Sequence, residues 1–355
     1  MDWGLGHTTR SATLIRYILQ QGHKVIFAGN EWQRNYISRS FPGIETTHLD
    51  GYNVTYAKKG SWFMVNLLKQ LPRLLKTIRY ENDWLARLVA ERKIDAVISD
   101  NRYGLHHDAL PCVMMTHQVL AQTGMGEFAD RLLSKLHYRH IRKYQQCWVI
   151  DVDGEPNLSG VLAHPEKMPE NARFIGLLSQ IADEQMEGIS EDHFLILLSG
   201  PEPQRTLLSN LLWEQAKQLK QKLVFVEGSN NIAERTDIPS HISYHLQLTK
   251  DELFPLLKGA SMVICRSGYS TLMDLVVLDK KAILIPTPGQ TEQEYLAKYL
   301  HNEGVFFCMG QEKFNIFQAL VSCHTFPFKK LPLKHGLFEY KKIVSRWLNE
   351  LQDPH

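Results

Sequence analysis

At 355 residues the chain exceeds what one hydrophobic core ordinarily supports, so two domains are expected. A formal net charge of +2 is too small for bulk charge to draw nucleic acid, and no apolar run reaches the roughly 18 residues of a membrane span. Five cysteines show no CxxC pair and several lie in apolar runs, so they read as buried free thiols of a reducing, cytoplasmic compartment; a signal-peptide core is also missing.

The chain opens MDWGLGHTTRSATLIRYILQQGHKVIFAG. A glycine-rich turn leading into a helix normally follows a buried strand that aims it at a ligand. No strand precedes Gly4-x-Gly6-His7, so the natural chain is expected to start roughly eight to ten residues upstream, one strand plus a lead-in. Thr8 or Thr9 is placed to cap a helix running to Gln21, Gly22 to close it, and 24–28 to form the next strand. Further strands are expected at 44–48, 96–99, 112–116 and 147–150. A second series follows at 194–198, 222–226, 242–245, 262–265, 282–285 and 305–307.

Continuous apolar strands separated by amphipathic helices indicate parallel sheets covered on both faces. The fold expected is α/β: two Rossmann-like, doubly wound domains facing across a cleft, with the first strand of the N-terminal domain missing. The turn-rich DVDGEPNLSG at 151–160 marks the junction. It divides an N-terminal domain (1–160), a linker (161–178), a second domain (179–335) and a C-terminal helix (336–355) packing back toward the first.

In such sheets ligands sit outside the carboxyl ends of the strands. LLSGPEPQR at 197–205 places Ser199 and Gly200 ahead of a helix, where exposed amides suit an anion or make an ordinary turn. CRSGYSTLMD at 265–274 is the strongest local signal. Its strand ends at Cys265, Ser267-Gly268 turns, and Ser270 or Thr271 opens a helix whose amides, hydroxyls and dipole suit a diphosphate. Asp274, one turn further in, either reaches sugar hydroxyls or complements the helix N-terminus. IPTPGQTEQEY at 285–295 is stiffened by two prolines and a glycine, and Glu292 and Gln293 offer acceptors and donors for hydroxyls.

RSGYSTLMD followed by PTPGQTEQEYLA, with GLGH at the N-terminus, resembles the two-domain glycosyltransferases of the GT-B fold. The nearest type is glycosyltransferase family 28, which includes the peptidoglycan enzyme that adds N-acetylglucosamine to lipid-linked muramyl-pentapeptide. The similarity spans nearly the whole chain in order and spacing, specific in the second domain and looser in the first. It implies inverting, metal-independent transfer of a hexose or N-acetylhexosamine from a UDP-sugar, with no cofactor. The acceptor implied is a hydroxyl of a lipid-linked or cell-envelope molecule, and the location the inner face of the membrane. No DxD-like metal pair lies at a strand end; Asp151-Val-Asp153 has that spacing but sits in the interdomain turn.

By the same resemblance the first domain takes the acceptor and the second the donor. Arg266, Ser267, Gly268, Ser270 and Thr271, with Ser199 and Gly200, hold the diphosphate. Asp274 stands where the family has a ribose-binding glutamate and is one methylene shorter. His245 and Leu246 read the base. Gly289, Gln290, Glu292 and Gln293 line the sugar; Gln293 matches the first of a glutamine pair, and Glu294 replaces the second. Gly4 and Gly6 let the backbone approach the donor phosphates and acceptor, which makes His7 a candidate general base. An acceptor hydroxyl loses its proton as the bond forms, and imidazole titrates in the right range. Asp100, in ISDNRYG, is the candidate carboxylate that orients the ring. His117 is either a further cleft residue or a buried, hydrogen-bonded histidine.

Residues 61–79 and 132–144 mix leucines and aromatics with Lys69, Arg73, Lys76, Arg79, Lys135, Arg139, Arg142 and Lys143. They suit an anionic membrane surface or are core-facing helices with a basic edge. A dinucleotide oxidoreductase fits poorly, because GLGHTTR breaks GxGxxG after its second glycine. A UDP-sugar 2-epimerase of the same fold, using Glu292, Glu294 and Asp100, and a non-catalytic nucleotide-sugar-binding partner protein are the other readings.

Overall fold

The computed structural model describes residues 5–51, 63–120, 126–182, 184, 192–228 and 235–352. They group into two units: His7–Leu178 with the C-terminal segment from Leu333, and Ser179–Pro332 with the few residues ending at Gly6.

The first unit runs α1 (Leu5–Gln20), β1 (Ile26–Gly29), α2 (Glu31–Ser40), β2 (Glu45–His48), α3 (Phe63–Glu91) and β3 (Val97–Asp100). It continues with β4 (Cys112–Thr116), α4 (Glu127–Ile141), β5 (Gln146–Val149) and β6 (Ala172–Phe174). Gly22, in the left-handed region at φ +84°, closes α1, as its lack of a Cβ favours. The start of α1 differs from expectation. Helix begins at Leu5, so Gly6 and His7 sit in its first turn and not in a loop. A glycine is tolerated there because the first amides of a helix have no intrahelical partner in any case.

The sheet also differs. β1 pairs only with β2, while β3-β4-β5-β6 form a separate four-stranded parallel sheet. Among the described residues no strand precedes α1 and none pairs with both β1 and β3. Residues 161–178, expected as a linker, finish this second sheet: β6 pairs with β5 along Ala172–Phe174. Its three residues are half-buried or exposed, which left no apolar run to read. Met114, Val149, Ile141 and Cys147 form the core beneath.

The second unit comprises β7 (His193–Leu197), α5 (Gln204–Ala216), β8 (Leu223–Val226), β9 (Ile242–His245), α6 (Lys250–Lys258) and β10 (Ala260–Cys265). Then come α7 (Tyr269–Val277), β11 (Ala282–Leu284), α8 (Thr291–Asn302), β12 (Phe307–Cys308) and α9 (Ile316–Cys323). Its six strands are parallel in the order β12-β11-β10-β7-β8-β9. The order reverses between β7 and β10. That is the doubly wound arrangement, with its ligand crevice at the reversal. The strand expected at 305–307 starts only at Phe307. Gly304, at φ +75°, closes α8, and the amides of Val305 and Phe306 turn back to the Leu300 carbonyl.

The last helix, α10 (Glu339–Gln352), belongs to the first unit. Trp347 meets Trp148 edge-on at 5.3 Å, Tyr340 meets Tyr17 at 5.6 Å, and the Tyr17 hydroxyl donates to the Lys341 carbonyl. All five cysteines are free thiols; four are buried and Cys308 is only partly so. Among the described residues no helix is long and apolar enough to cross a membrane.

Candidate active site

In the first unit, parallel pairing of β3 with β4 sets Asp100 beside Met115, so Asp100 and His117 emerge at neighbouring strand ends. Asn101, at φ +54°, turns the chain immediately after Asp100, a conformation asparagine tolerates better than most residues. Helix α1 brings His7, Arg10 and Ser11 to the same place. His7 Nδ1 lies 3.1 Å from Asp100 Oδ2, and the Ser11 hydroxyl donates to that oxygen at 3.3 Å.

Arg10 sits at the centre of this group. Its side chain is 1% exposed. Nε donates to Asp100 Oδ2 at 3.0 Å, and Nη2 donates to Asp100 Oδ1, a bidentate clasp. Nη1 donates to His117 Nδ1 at 2.8 Å, and Nη2 reaches His7 Nδ1 at 2.6 Å. Arginine only donates, so the bond from Nη1 requires a bare Nδ1 on His117 and places its ring proton on Nε2. Sequence reasoning missed Arg10. A helix read as starting at His7 would have put residues 7 and 10 on one face.

Burial, then the Arg10 charge, push the His7 pKa down to about 4, although Asp100 pulls the other way. Burial alone would raise the Asp100 pKa, but Arg10 and His7 together hold it well below the usual carboxylate range. His7 is therefore neutral at pH 7 beside an ionised Asp100. Its Nδ1 serves one partner at a time. Protonated, it donates to Asp100 and frees Nε2 as a base; bare, it accepts from Arg10 and Nε2 carries the proton.

Gly4 lies outside the described residues. Asp151, whose spacing with Asp153 resembled a metal pair, is a structural anchor instead. Its carboxylate accepts from the amides of Val152, Leu158 and Ser159 at 2.8–3.2 Å and from the Ser159 hydroxyl. No cluster of metal-ligating side chains occurs among the described residues.

In the second unit, Ser199 and Gly200 follow β7, and Arg266 to Gly268 follow β10, on either side of the switch point. Gly200 has φ +109° and open space where a Cβ would stand. Gly268 heads α7 without a side-chain cap and also has open space beside it. The N-cap position thus supplies no side-chain cap at the positive end of the α7 dipole. Behind them, Gly228 at the end of β8 packs so closely that a Cβ would lie 2.1 Å from the Leu198 carbonyl oxygen.

Several expected ligand-facing residues turn inward. Ser267 is fully buried and donates to the Gln293 carbonyl at 2.8 Å. Gln293 is buried, and its Oε1 accepts from the Thr287 amide at 3.0 Å. Arg266 is 1% exposed and bonded to backbone carbonyls. These three tie the strand-end loops together, because each buried polar group finds its partner inside the protein. Glu294 is exposed and accepts from the Gly289 amide at 2.8 Å. Gln290, Thr291, Glu292, Ser270 and Thr271 are half-buried around the starts of α8 and α7.

Asp274 accepts from the Ser179 hydroxyl at 2.6 Å. Burial pushes its pKa up to about 6, moderated by Ser179, the Gln180 amide and Lys250. His245 ends the edge strand β9, with Nε2 2.9 Å from the Ser243 hydroxyl, and Leu246 follows it.

Residues 200–331 match the glycosyltransferase family 28 C-terminal domain. An uncharacterized glycosyltransferase of Methanosarcina mazei is 23% identical over 316 residues, covering 85% of this chain and 82% of that protein. Pasteurella multocida UDP-N-acetylglucosamine--N-acetylmuramyl-(pentapeptide) pyrophosphoryl-undecaprenol N-acetylglucosamine transferase is 30% identical over 173 residues, 46% of this chain and 48% of that one. Among solved structures, SnogD from Streptomyces nogalater has a TM-score of 0.60 at 15% identity, covering 96% of this chain and 91% of its own. Acinetobacter baumannii MurG has a TM-score of 0.52 at 15% identity, covering 98% and 96%.

Proposed function

We propose, from the premise that this chain is a glycosyltransferase of the family 28 type on the GT-B fold, that it moves a hexose or N-acetylhexosamine from UDP to an acceptor hydroxyl, inverting the anomeric centre without a metal. The observation that carries this reading is the switch point of the second unit. There both central strands end in glycine loops, and α7 starts without a side-chain cap. The leaving nucleotide diphosphate gains charge as the sugar departs, and fixed amides and a helix dipole stabilise that charge without reorganising.

In this reading His7 is the base, in the tautomer whose Nδ1–H faces Asp100. Nε2 takes the acceptor proton as the glycosidic bond forms on the face opposite the departing phosphate. Asp100 orients the ring and answers the imidazolium charge. An epimerase reading draws less support, because two of its candidate acids are engaged: Asp100 on Arg10, and Glu294 on the Gly289 amide.

A lipid-linked or cell-envelope acceptor is the companion proposal. The Pasteurella relative is named for a pyrophosphoryl-undecaprenol acceptor. Helix α3 exposes Arg73, Leu75, Lys76 and Arg79, and α4 exposes Lys135, Leu136 and Arg139. Cations interleaved with exposed leucines suit the anionic inner face of a membrane.

The deciding experiment incubates the protein with UDP-, GDP- and dTDP-sugars and follows binding and products by mass spectrometry. Selective binding and slow hydrolysis of one UDP-sugar, with no isomerised sugar, is expected. Preference for GDP or dTDP would overturn the donor, isomerisation without release of nucleotide would reveal an epimerase, and binding without turnover an inert binder.

A further inference from the structure

Arg266 follows the last residue of β10, at the switch point, and its side chain is 1% exposed. Nη1 donates to the carbonyls of Ile285 and Pro286 at 3.1 Å each, and Nη2 donates to the Gln204 carbonyl at 2.9 Å. Two of those oxygens belong to the loop after β11, and the third to the first residue of α5, where the loop after β7 ends. One guanidinium therefore binds together the three strand-end loops that surround the crevice.

Its charge is treated differently from that of the other inward-facing arginines. Arg10 pairs with Asp100, Arg102 with Glu81, Arg205 with Glu202 and Arg235 with Glu227. Among the described residues no carboxylate pairs with Arg266, and only carbonyl dipoles face it. A buried cation answered this way costs several kcal/mol. Burial accordingly lowers its pKa to about 10. Such a cost is offset when an anion arrives close by. The adjoining loop supplies a place for one, since Gly268 opens α7 uncapped with free space beside it.

We propose that Arg266 is a positioning residue whose charge is completed by the diphosphate of the nucleotide donor, acting through the three loops it holds and without touching the ligand. This rests on the donor reading above. It distinguishes Arg266 from a purely mechanical strut, for which the charge of the ligand would be immaterial.

The test compares wild type, Arg266→Gln and Arg266→Lys by calorimetry, with UDP and uridine as probes. Arg266→Gln is expected to weaken UDP by about tenfold or more while uridine shifts by less than about threefold. Arg266→Lys keeps a cation and should retain most of the preference for UDP over uridine, although it loses the planar fork. Parallel loss of both ligands would overturn the proposal. So would failure of both variants to fold, which would mark a strut alone. Wild-type protein that binds neither UDP nor uridine would instead sink the donor reading, and this inference with it.

Discussion

Two arginines, one in each unit, are equally hidden and oppositely used. Arg10 and Arg266 are both 1% exposed; Arg10, on α1, reaches side chains at the carboxyl ends of β3 and β4, and Arg266 itself follows β10. Arg10 is clasped by Asp100 and turns its remaining hydrogens on two histidines. Arg266 finds only carbonyl oxygens. The first unit is thus electrostatically complete around His7, and its charges shape a ring. The second holds, in Arg266, a cation that no carboxylate among the described residues pairs with. Burial of a cation does not identify its task; the partner does.

The largest expected effect breaks the first half of that contrast. Asp100→Asn removes the carboxylate of a buried arginine and should lower unfolding free energy by about 3–5 kcal/mol in urea titrations. A loss below about 1 kcal/mol would show that Arg10 does not depend on Asp100. His7→Ala should reduce turnover by about 10²–10⁴-fold while UDP affinity stays nearly constant, because a base acts on the acceptor. Equal losses in rate and affinity would remove His7 from that role.

Gly228→Ala probes the second unit. A Cβ 2.1 Å from the Leu198 oxygen, at φ +71°, forces the β7 and β8 ends apart. We expect a loss of about 2–3 kcal/mol in stability, visible in thermal melts. Asp274 gives the smallest effect and one with a sign. Its folded pKa of about 6 stands above the ordinary 3.8, so the fold favours the protonated acid. Its contribution is complete below pH 3.8 and disappears as pH rises through 6. Asp274→Asn should therefore flatten the stability profile between those values, by on the order of 1–2 kcal/mol. An unchanged slope in urea unfolding would show that Asp274 is not the titrating group.

Much of the architecture was legible in sequence because buried parallel strands are short and uniformly apolar. Cys112–Thr116 and Ile242–His245 form strands at the expected bounds. β6 was hidden, since Ala172-Arg-Phe174 has no apolar run and earns its place only by pairing with β5. The family resemblance brought His7 and Asp100 to notice as a pair, and they lie within hydrogen-bond distance. The direction in which a loop side chain points is not written in its spacing. Ser267, Arg266 and Gln293 read as ligand contacts, yet their polar atoms pair with neighbouring backbone. Arg10 was overlooked for a related reason: a basic residue in a helix suggests solvent until a carboxylate is known to stand opposite.

The chain's final helix has a consequence for its first. Apart from a few residues ending at Gly6, one unit is the single stretch Ser179–Pro332, whereas the other takes its helices α1 and α10 from the two ends of the polypeptide. Tyr17, on the same helix as His7 and Arg10, leans against Tyr340 and hydrogen-bonds the Lys341 carbonyl. Clipping the tail would leave the strands of the second unit whole and loosen the helix that carries His7.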